Sequence, residues 1–377
     1  MDGSTPAHPV VQPSYQKFSL IMLGLLSFGY ALSLARPIVV PLLFSLLLAM
    51  LLNPLVDRFV RWRSPRVLAI VIALMLAMTA LAGLAYFIGT QAGNFSEKLP
   101  DLNVRITALG VDMQRWTQDT FDMERGDVTD AVEKVKDEGM SQGRSMVGST
   151  LTTVGTLFAF FFLLPVFTFL LLLYKRLLIT FVRKLFPERD QAVVQDVLTR
   201  TKGVVQSYLV GLVMEAGIVT VLNWTGLMII GVEYALLLAV MGAVLNLIPY
   251  VGMIMATALT MLFALATMGP AAALWVLGLY LLVQLVDNNF IVPRVVASRV
   301  ELNALASIIA VMIGGALWGI PGMFLAIPLT AMLKVIFDRV PALEPFGYVL
   351  GDGGIGSHRD IFRLPLLAAV HTPEVRE

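Results

Sequence analysis

What most constrains this chain is a succession of apolar segments, each long enough to cross a lipid bilayer. A spanning helix needs about 20 consecutive apolar residues. Residues 18–35, 37–55, 67–90 and 151–174 meet that requirement in the first half of the chain, and 204–230 and 271–290 meet it in the second. Two further segments, 235–266 and 302–337, are too long for one straight span and are interrupted. A water-soluble core cannot absorb this surface: 58% of the residues are hydrophobic and only 14% are charged, against roughly 25% charged in soluble domains. These segments imply an all-α polytopic membrane protein with lipid as its first partner. Residues 18–35 run straight into a second apolar segment, so they read as a retained anchor rather than a cleaved signal.

Other chemistries drop out early. The charges balance, 27 basic against 26 acidic, which gives no reason to expect a nucleic-acid partner. There is no cysteine for a thiolate site. His8, His358 and His371 all lie in the terminal tails, outside every apolar segment. With no phosphate-binding GxxxxGK[ST] loop and no HExxH, an ATP-driven pump or an intramembrane hydrolase is disfavoured. We expect no enzyme activity, no cofactor and no metal.

The expected organisation is a tail (1–16), three spans (17–90), a polar insert (91–150), and a fourth span with an amphipathic helix (151–203). A transport unit (204–340) and a second tail (341–377) follow. Arg36–Pro37 separates the first two spans, and Asn53–Pro54 is expected to close the second. The insert is net acidic, with Glu97, Asp101, Asp112, Asp119, Asp122 and Glu124. Within it Leu99, Leu102, Ile106, Leu109, Met113 and Trp116 form one helical stripe, suited to packing within a subunit or between subunits. Residues 175–202 are basic, and their apolar positions keep helical spacing. They are expected to form an amphipathic helix on the membrane surface.

Lysine and arginine concentrate on the cytoplasmic side. Arg58, Arg61, Arg63 and Arg66 place the loop between spans two and three there. The basic stretch 175–202 falls on the same side two crossings later, and the acidic insert falls outside. Arg294 and Arg299, then Lys334 and Arg339, keep to the cytoplasmic side only if each interrupted segment enters the bilayer and returns. Both termini are then cytoplasmic. The expected fold is about six full spans plus two broken, re-entrant helical hairpins. The first hairpin breaks at residues 246–252, the second at Gly314-Gly315 and again at Gly319–Gly322. Span plus hairpin occurs twice with opposite orientation. Inverted repeats with interrupted helices point to a secondary transporter. A membrane scaffold whose outer insert binds a partner is the competing class, and it has no need of two broken segments.

Several motifs resemble one family. Ile248-Pro249-Tyr250-Val251-Gly252, Asp287-Asn288-Asn289 with Pro293-Arg294, and Gly314-Gly315 with Trp318-Gly319-Ile320-Pro321-Gly322-Met323 and Pro328 are similar to motifs of the AI-2E family of bacterial membrane transporters. Asn53-Pro54-Leu55 with its basic loop also resembles it, and the likeness covers roughly residues 17–340. The resemblance implies a permease of the inner membrane that exports a small polar solute such as autoinducer-2. For some relatives it implies sodium (or lithium)/proton exchange instead. It also implies a homo-oligomer, with a pentamer as the candidate.

Candidate site residues follow from the physics. Glu215 sits deep within its span, where an ionisable group is costly, so it reads as a proton carrier or as a structural hydrogen-bonding group. Asp287 closes its span, as a site group or as a solvated interfacial carboxylate. Asn246, Gln284, Asn288 and Asn289 offer amides to a polar solute or cation. Pro249, Tyr250, Gly252, Gly315, Pro321 and Gly322 shape the two breaks and expose backbone groups. Glu215 matches no family motif. Its role rests on its position alone.

Overall fold

The computed structural model describes residues 14–97, 150–249, 251–296 and 302–351. Among them every regular element is helical. In chain order they are α1 (Ser14–Leu34), α2 (Arg36–Arg61), α3 (Arg66–Glu97), α4 (Thr150–Leu173), α5 (Lys175–Lys184), α6 (Gln191–Ile230), α7 (Ala235–Asn246), α8 (Val251–Met268), α9 (Pro270–Val286), α10 (Ala304–Trp318), α11 (Ile320–Phe337) and α12 (Glu344–Leu350). A 3-10 turn, Glu188–Asp190, leads into α6, and a π-helix, Asp287–Val296, continues α9. Six of the helices are long and apolar enough to cross a membrane, and the bent pair α4–α5 makes a seventh if its two arms count as one span. The chain is thus an all-α polytopic membrane protein. The stripe in the acidic insert, Tyr250 and Arg299 lie outside the described residues.

The second helix corrects one expectation. Asn53–Pro54 does not end it; α2 runs through Pro41 and Pro54 to Arg61. Proline removes one backbone donor, and inside a bundle neighbouring groups take up the slack. Ser45 Oγ donates to the Pro41 carbonyl at 2.7 Å and sits 3.0 Å from the Leu164 carbonyl, which ties α2 to α4. The helix stops at Arg61, and two residues later Arg63 takes a left-handed φ of 66°. Its last turn carries Arg58 and Arg61, cations that complement the negative C-terminal end of the helix dipole.

A second correction concerns residues 175–202. They form two elements, not one amphipathic helix. The first, α5, turns 66° away from α4. The rest of the stretch is the head of α6, a helix of 40 residues. At 1.5 Å per residue α6 is about 60 Å long, twice a roughly 30 Å hydrocarbon core, so its basic N-terminal part projects beyond the bilayer. This helix is the hub: it packs against α2, α5, α7, α9, α11 and the π-helix.

Both interrupted segments are helical hairpins with adjacent arms, α7 against α8 and α10 against α11. Here a third correction applies. Gly314-Gly315 is not a break; it lies inside α10, and the chain turns only at Gly319. Gly319 has φ 67°, the left-handed region that favours glycine. Immediately beyond it Pro321 occupies the first turn of α11, where its missing N–H costs no hydrogen bond. Span-plus-hairpin order therefore appears twice, but the two units pack differently. The first hairpin lies on α6 and α9, whereas α11 lies on α6 and α2 and α10 touches α1. Phe44 on α2 stacks on Phe324 at 5.4 Å, and Trp318 Nε1 donates to the Leu32 carbonyl of α1 at 3.0 Å.

Candidate functional site

The first hairpin builds a polar cluster in an otherwise apolar bundle. Its turn ends α7 at Asn246, and Gly252 lets α8 return close beside it. A Cβ on Gly252 would collide with the Leu245 carbonyl and would lie 2.8 Å from Asn246 Cα. That close approach keeps the start of α8 against the end of α7. Asn246 Nδ2 donates to Glu215 Oε1 on α6 at 3.3 Å and to Asp287 Oδ2 at 3.5 Å. One amide nitrogen carries two hydrogens, so it can serve both carboxylates.

Both carboxylates are withdrawn from solvent, Glu215 to 7% exposure and Asp287 to 2%. The solvated-carboxylate reading of Asp287 is therefore wrong. The reason is α-helical spacing, since Tyr280, Val283 and Asp287 fall on one buried face of α9 and its continuation. A π-helix begins at Asp287 and runs on to Val296. π-Helical insertions occur often at functional sites. Asp287 Oδ1 is buried and has no hydrogen-bond partner.

Two more polar side chains share this place without having been singled out from the sequence. Asn223 follows Glu215 at i+8 on the same face of α6, is 3% exposed, and its Oδ1 is buried without a partner. Tyr280 precedes Asp287 by two turns on α9 and exchanges a hydrogen bond with Thr260 of α8 at 2.9 Å. Gly242 of α7 makes room for it, since a Cβ there would lie 3.2 Å from the Tyr280 hydroxyl. Asn223, Asn246, Tyr280 and Asp287 line a common cavity of about 10 Å³. That volume holds about one water-sized occupant. A lone asparagine in an apolar span at helical spacing from Glu215 was the signal that could have found Asn223.

The remaining expected residues divide. Gln284 reaches the cavity wall and donates to Asn288 Oδ1 at 2.9 Å. Asn288 and Asn289 are exposed, and Asn289 donates back to the Leu285 carbonyl at 2.8 Å, so neither joins the cluster. Pro249 sits in the turn, where its carbonyl accepts from the Val251 N–H at 2.7 Å. Gly315, Pro321 and Gly322 belong to the second hairpin, apart from the carboxylates. Gly315 faces Met323, and Gly322 faces Gly314 across the two arms.

Residues 18–342 match the family model described as AI-2E family transporter. The chain belongs to the AI-2E transporter family. Its curated AI-2E relatives include the AI-2 transport protein TqsA of Escherichia coli K12, 28% identical over 92% of this chain and 98% of the relative. The putative permease PerM of the same strain is 28% identical over 80% of this chain and 87% of its own. The putative transport protein YueF of Bacillus subtilis is 25% identical over 80% of this chain and 84% of its own. These AI-2E relatives and the apolar helices make the chain a multi-pass membrane transporter.

Proposed function

We propose that this transporter is a secondary permease that exports a small polar organic molecule of the autoinducer-2 kind, coupled to protons at the Glu215–Asn246–Asp287 cluster. The observation that carries the coupling is the pair of buried carboxylates facing one amide. Two carboxylates excluded from water repel one another, and a proton or a cation relieves the repulsion. The end of α7 adds to this field, because a helix C-terminus carries partial negative charge and favours a cation. Broken helices that present such ends to coupling ions are a recurring device of secondary transporters. The name of the relative TqsA supports an autoinducer-2-like cargo.

Access alternates, in this reading, by movement of the hairpins on α6. Both hairpins are braced on that helix, so a shift triggered at Glu215 reaches the second hairpin through α11. The glycines at the two turns let backbone approach the solute. The chain works in the inner membrane with both termini in the cytoplasm, as a homo-oligomer.

One specific observation favours a second reading, sodium (or lithium)/proton exchange. Asn223 Oδ1 and Asp287 Oδ1 are oxygens without partners on a cavity large enough for a single small occupant. Proteoliposomes separate the two. Export of an autoinducer-2-like solute that responds to an imposed pH gradient supports the first. Proton release driven by sodium or lithium alone, with no effect of the solute, replaces it with the second.

A further inference from the structure

Beneath α5 lies a cavity of about 400 Å³, distinct from the carboxylate cluster. That size is within the range of ligand sites. Its walls come from α2, α4, α5 and the head of α6, and they are mostly apolar, with Leu46, Met50 and Leu198 among them. Its polar residues are Asn53, Lys175, Gln195, Thr199 and Lys202, of which only the two lysines are charged.

Those polar groups carry an excess of positive charge. Lys175 Nζ donates to Asn53 Oδ1 at 2.7 Å, and Asn53 passes its own amide to Asp57 Oδ2 at 2.8 Å. Asp57 is the one carboxylate among the charges acting on Lys175, the others being Lys202, Arg66 and Arg176. Lys202 forms no ion pair with any described residue. Arg66 is committed to the Leu172 carbonyl at 3.0 Å. An apolar hollow closed by an unmatched ammonium group suits an anionic amphiphile.

The location selects which one. The lining residues come from the stretches of α2, α4, α5 and α6 nearest the basic residues Arg58, Arg61 and Arg183, the side that faces the cytoplasm by the positive-inside rule. The cytoplasmic leaflet is the one rich in anionic lipid, and basic pockets between spanning helices on that side bind anionic headgroups. Over the cavity, α5 exposes Leu177, Leu178 and Phe181, as a helix lying in the lipid interface does.

We propose that this cavity holds one anionic phospholipid of the cytoplasmic leaflet, with an acyl chain between α2, α4 and α6 and the phosphate held by Lys202 and Lys175. The lipid wedges the joint between the first spans and α6, so its presence stiffens the base on which the hairpins move.

Native mass spectrometry of the full chain, delipidated and then offered phosphatidylglycerol, phosphatidylethanolamine or glycerol 3-phosphate, tests this. The expected result is retention of phosphatidylglycerol over phosphatidylethanolamine, with no competition from glycerol 3-phosphate. Lys202→Gln, a change at the rim, should reduce the phosphatidylglycerol preference about fivefold. Leu198→Trp, which fills the apolar part, should reduce retention with Lys202 intact. Equal retention of the two lipids, an unchanged preference in Lys202→Gln, or displacement by glycerol 3-phosphate would each overturn the proposal.

Discussion

Glu215 on α6 and Asp287 at the head of the π-helix face the same amide, that of Asn246, at 3.3 Å and 3.5 Å. The three groups come from three elements of the chain, and each is held by a separate structural device. Asn246 ends α7 where Gly252 lets α8 approach closely. Asp287 lies on the buried face that Tyr280 and Val283 share on α9, and Glu215 is carried by the hub helix.

Removing the shared donor should hurt most when the carboxylates are ionised. Asn246→Leu leaves them without their amide, at a cost of about 1–3 kcal/mol for each buried group left unpaired, and more for a charged one. The loss should be greatest at high pH and shrink as the pH falls and the carboxyl groups take up protons. Thermal unfolding in detergent across pH reads this directly. A loss that is the same at every pH would mean the amide does not serve charged groups.

The second hairpin depends on contact without side chains. Gly322 and Gly314 press backbone on backbone, and a Cβ on either would collide with the other's carbonyl. Gly322→Ala should destabilise by about 1–3 kcal/mol or more, as overpacking does. Gly217→Ala is the matched control on α6, where a Cβ meets nothing within 4 Å. It should be neutral or slightly stabilising, by up to about 1 kcal/mol. Similar melting temperatures for the two variants would show that the arms are not held this closely.

Asn53 joins α2 to the bend between α4 and α5 by bridging Asp57 and Lys175. Asn53→Leu keeps the volume and removes both bonds, which should cost about 1–3 kcal/mol. Limited proteolysis should then cut near α5 sooner than in the parent. An unchanged cleavage rate would assign the joint to apolar packing alone.

Sidedness follows from the basic residues. Single cysteines at Arg61, Arg183 and Arg294 should react only with reagents that reach the cytoplasmic face, and the absence of native cysteine makes the measurement clean. Labelling of position 294 from outside would mean that the α7–α8 segment crosses the membrane an odd number of times.

Much of this was legible in the sequence because lipid leaves few choices. Most spans followed from apolar length, although α8 and α11, expected only as hairpin arms, also reach spanning length and the apolar part of α1 does not; the two hairpins followed from paired breaks near Pro249 and Gly319. Glu215 declared itself as a carboxylate in an apolar run. What escaped notice depended on groups far apart in the chain. Pro54 looked like a helix end, yet bundle contacts sustain α2 past it. Gly314-Gly315 looked like a break, yet small residues also let helices touch, and only the partner arm distinguishes these uses. Asp287 was named as a site candidate, but the polar Asn288 and Asn289 beside it left a solvated carboxylate open, and only the packing of α9 on α6 decides between the two. Asn223 shares α6 with Glu215 and was within reach of its spacing, whereas Tyr280 could be placed with Glu215 only once α6, α7 and α9 were packed together.

The role of Glu215 as the proton carrier is the central claim, and flux in proteoliposomes tests it most directly. Export of an autoinducer-2-like solute should be measured with and without an imposed pH gradient, for the parent chain and for Glu215→Gln, after confirming that both fold and assemble alike. The glutamine keeps the shape and can still meet Asn246, but it carries no titratable proton. The parent should respond to the gradient, and Glu215→Gln should lose that response. A variant that transports at the parent rate with the same dependence on the gradient would contradict proton coupling at Glu215.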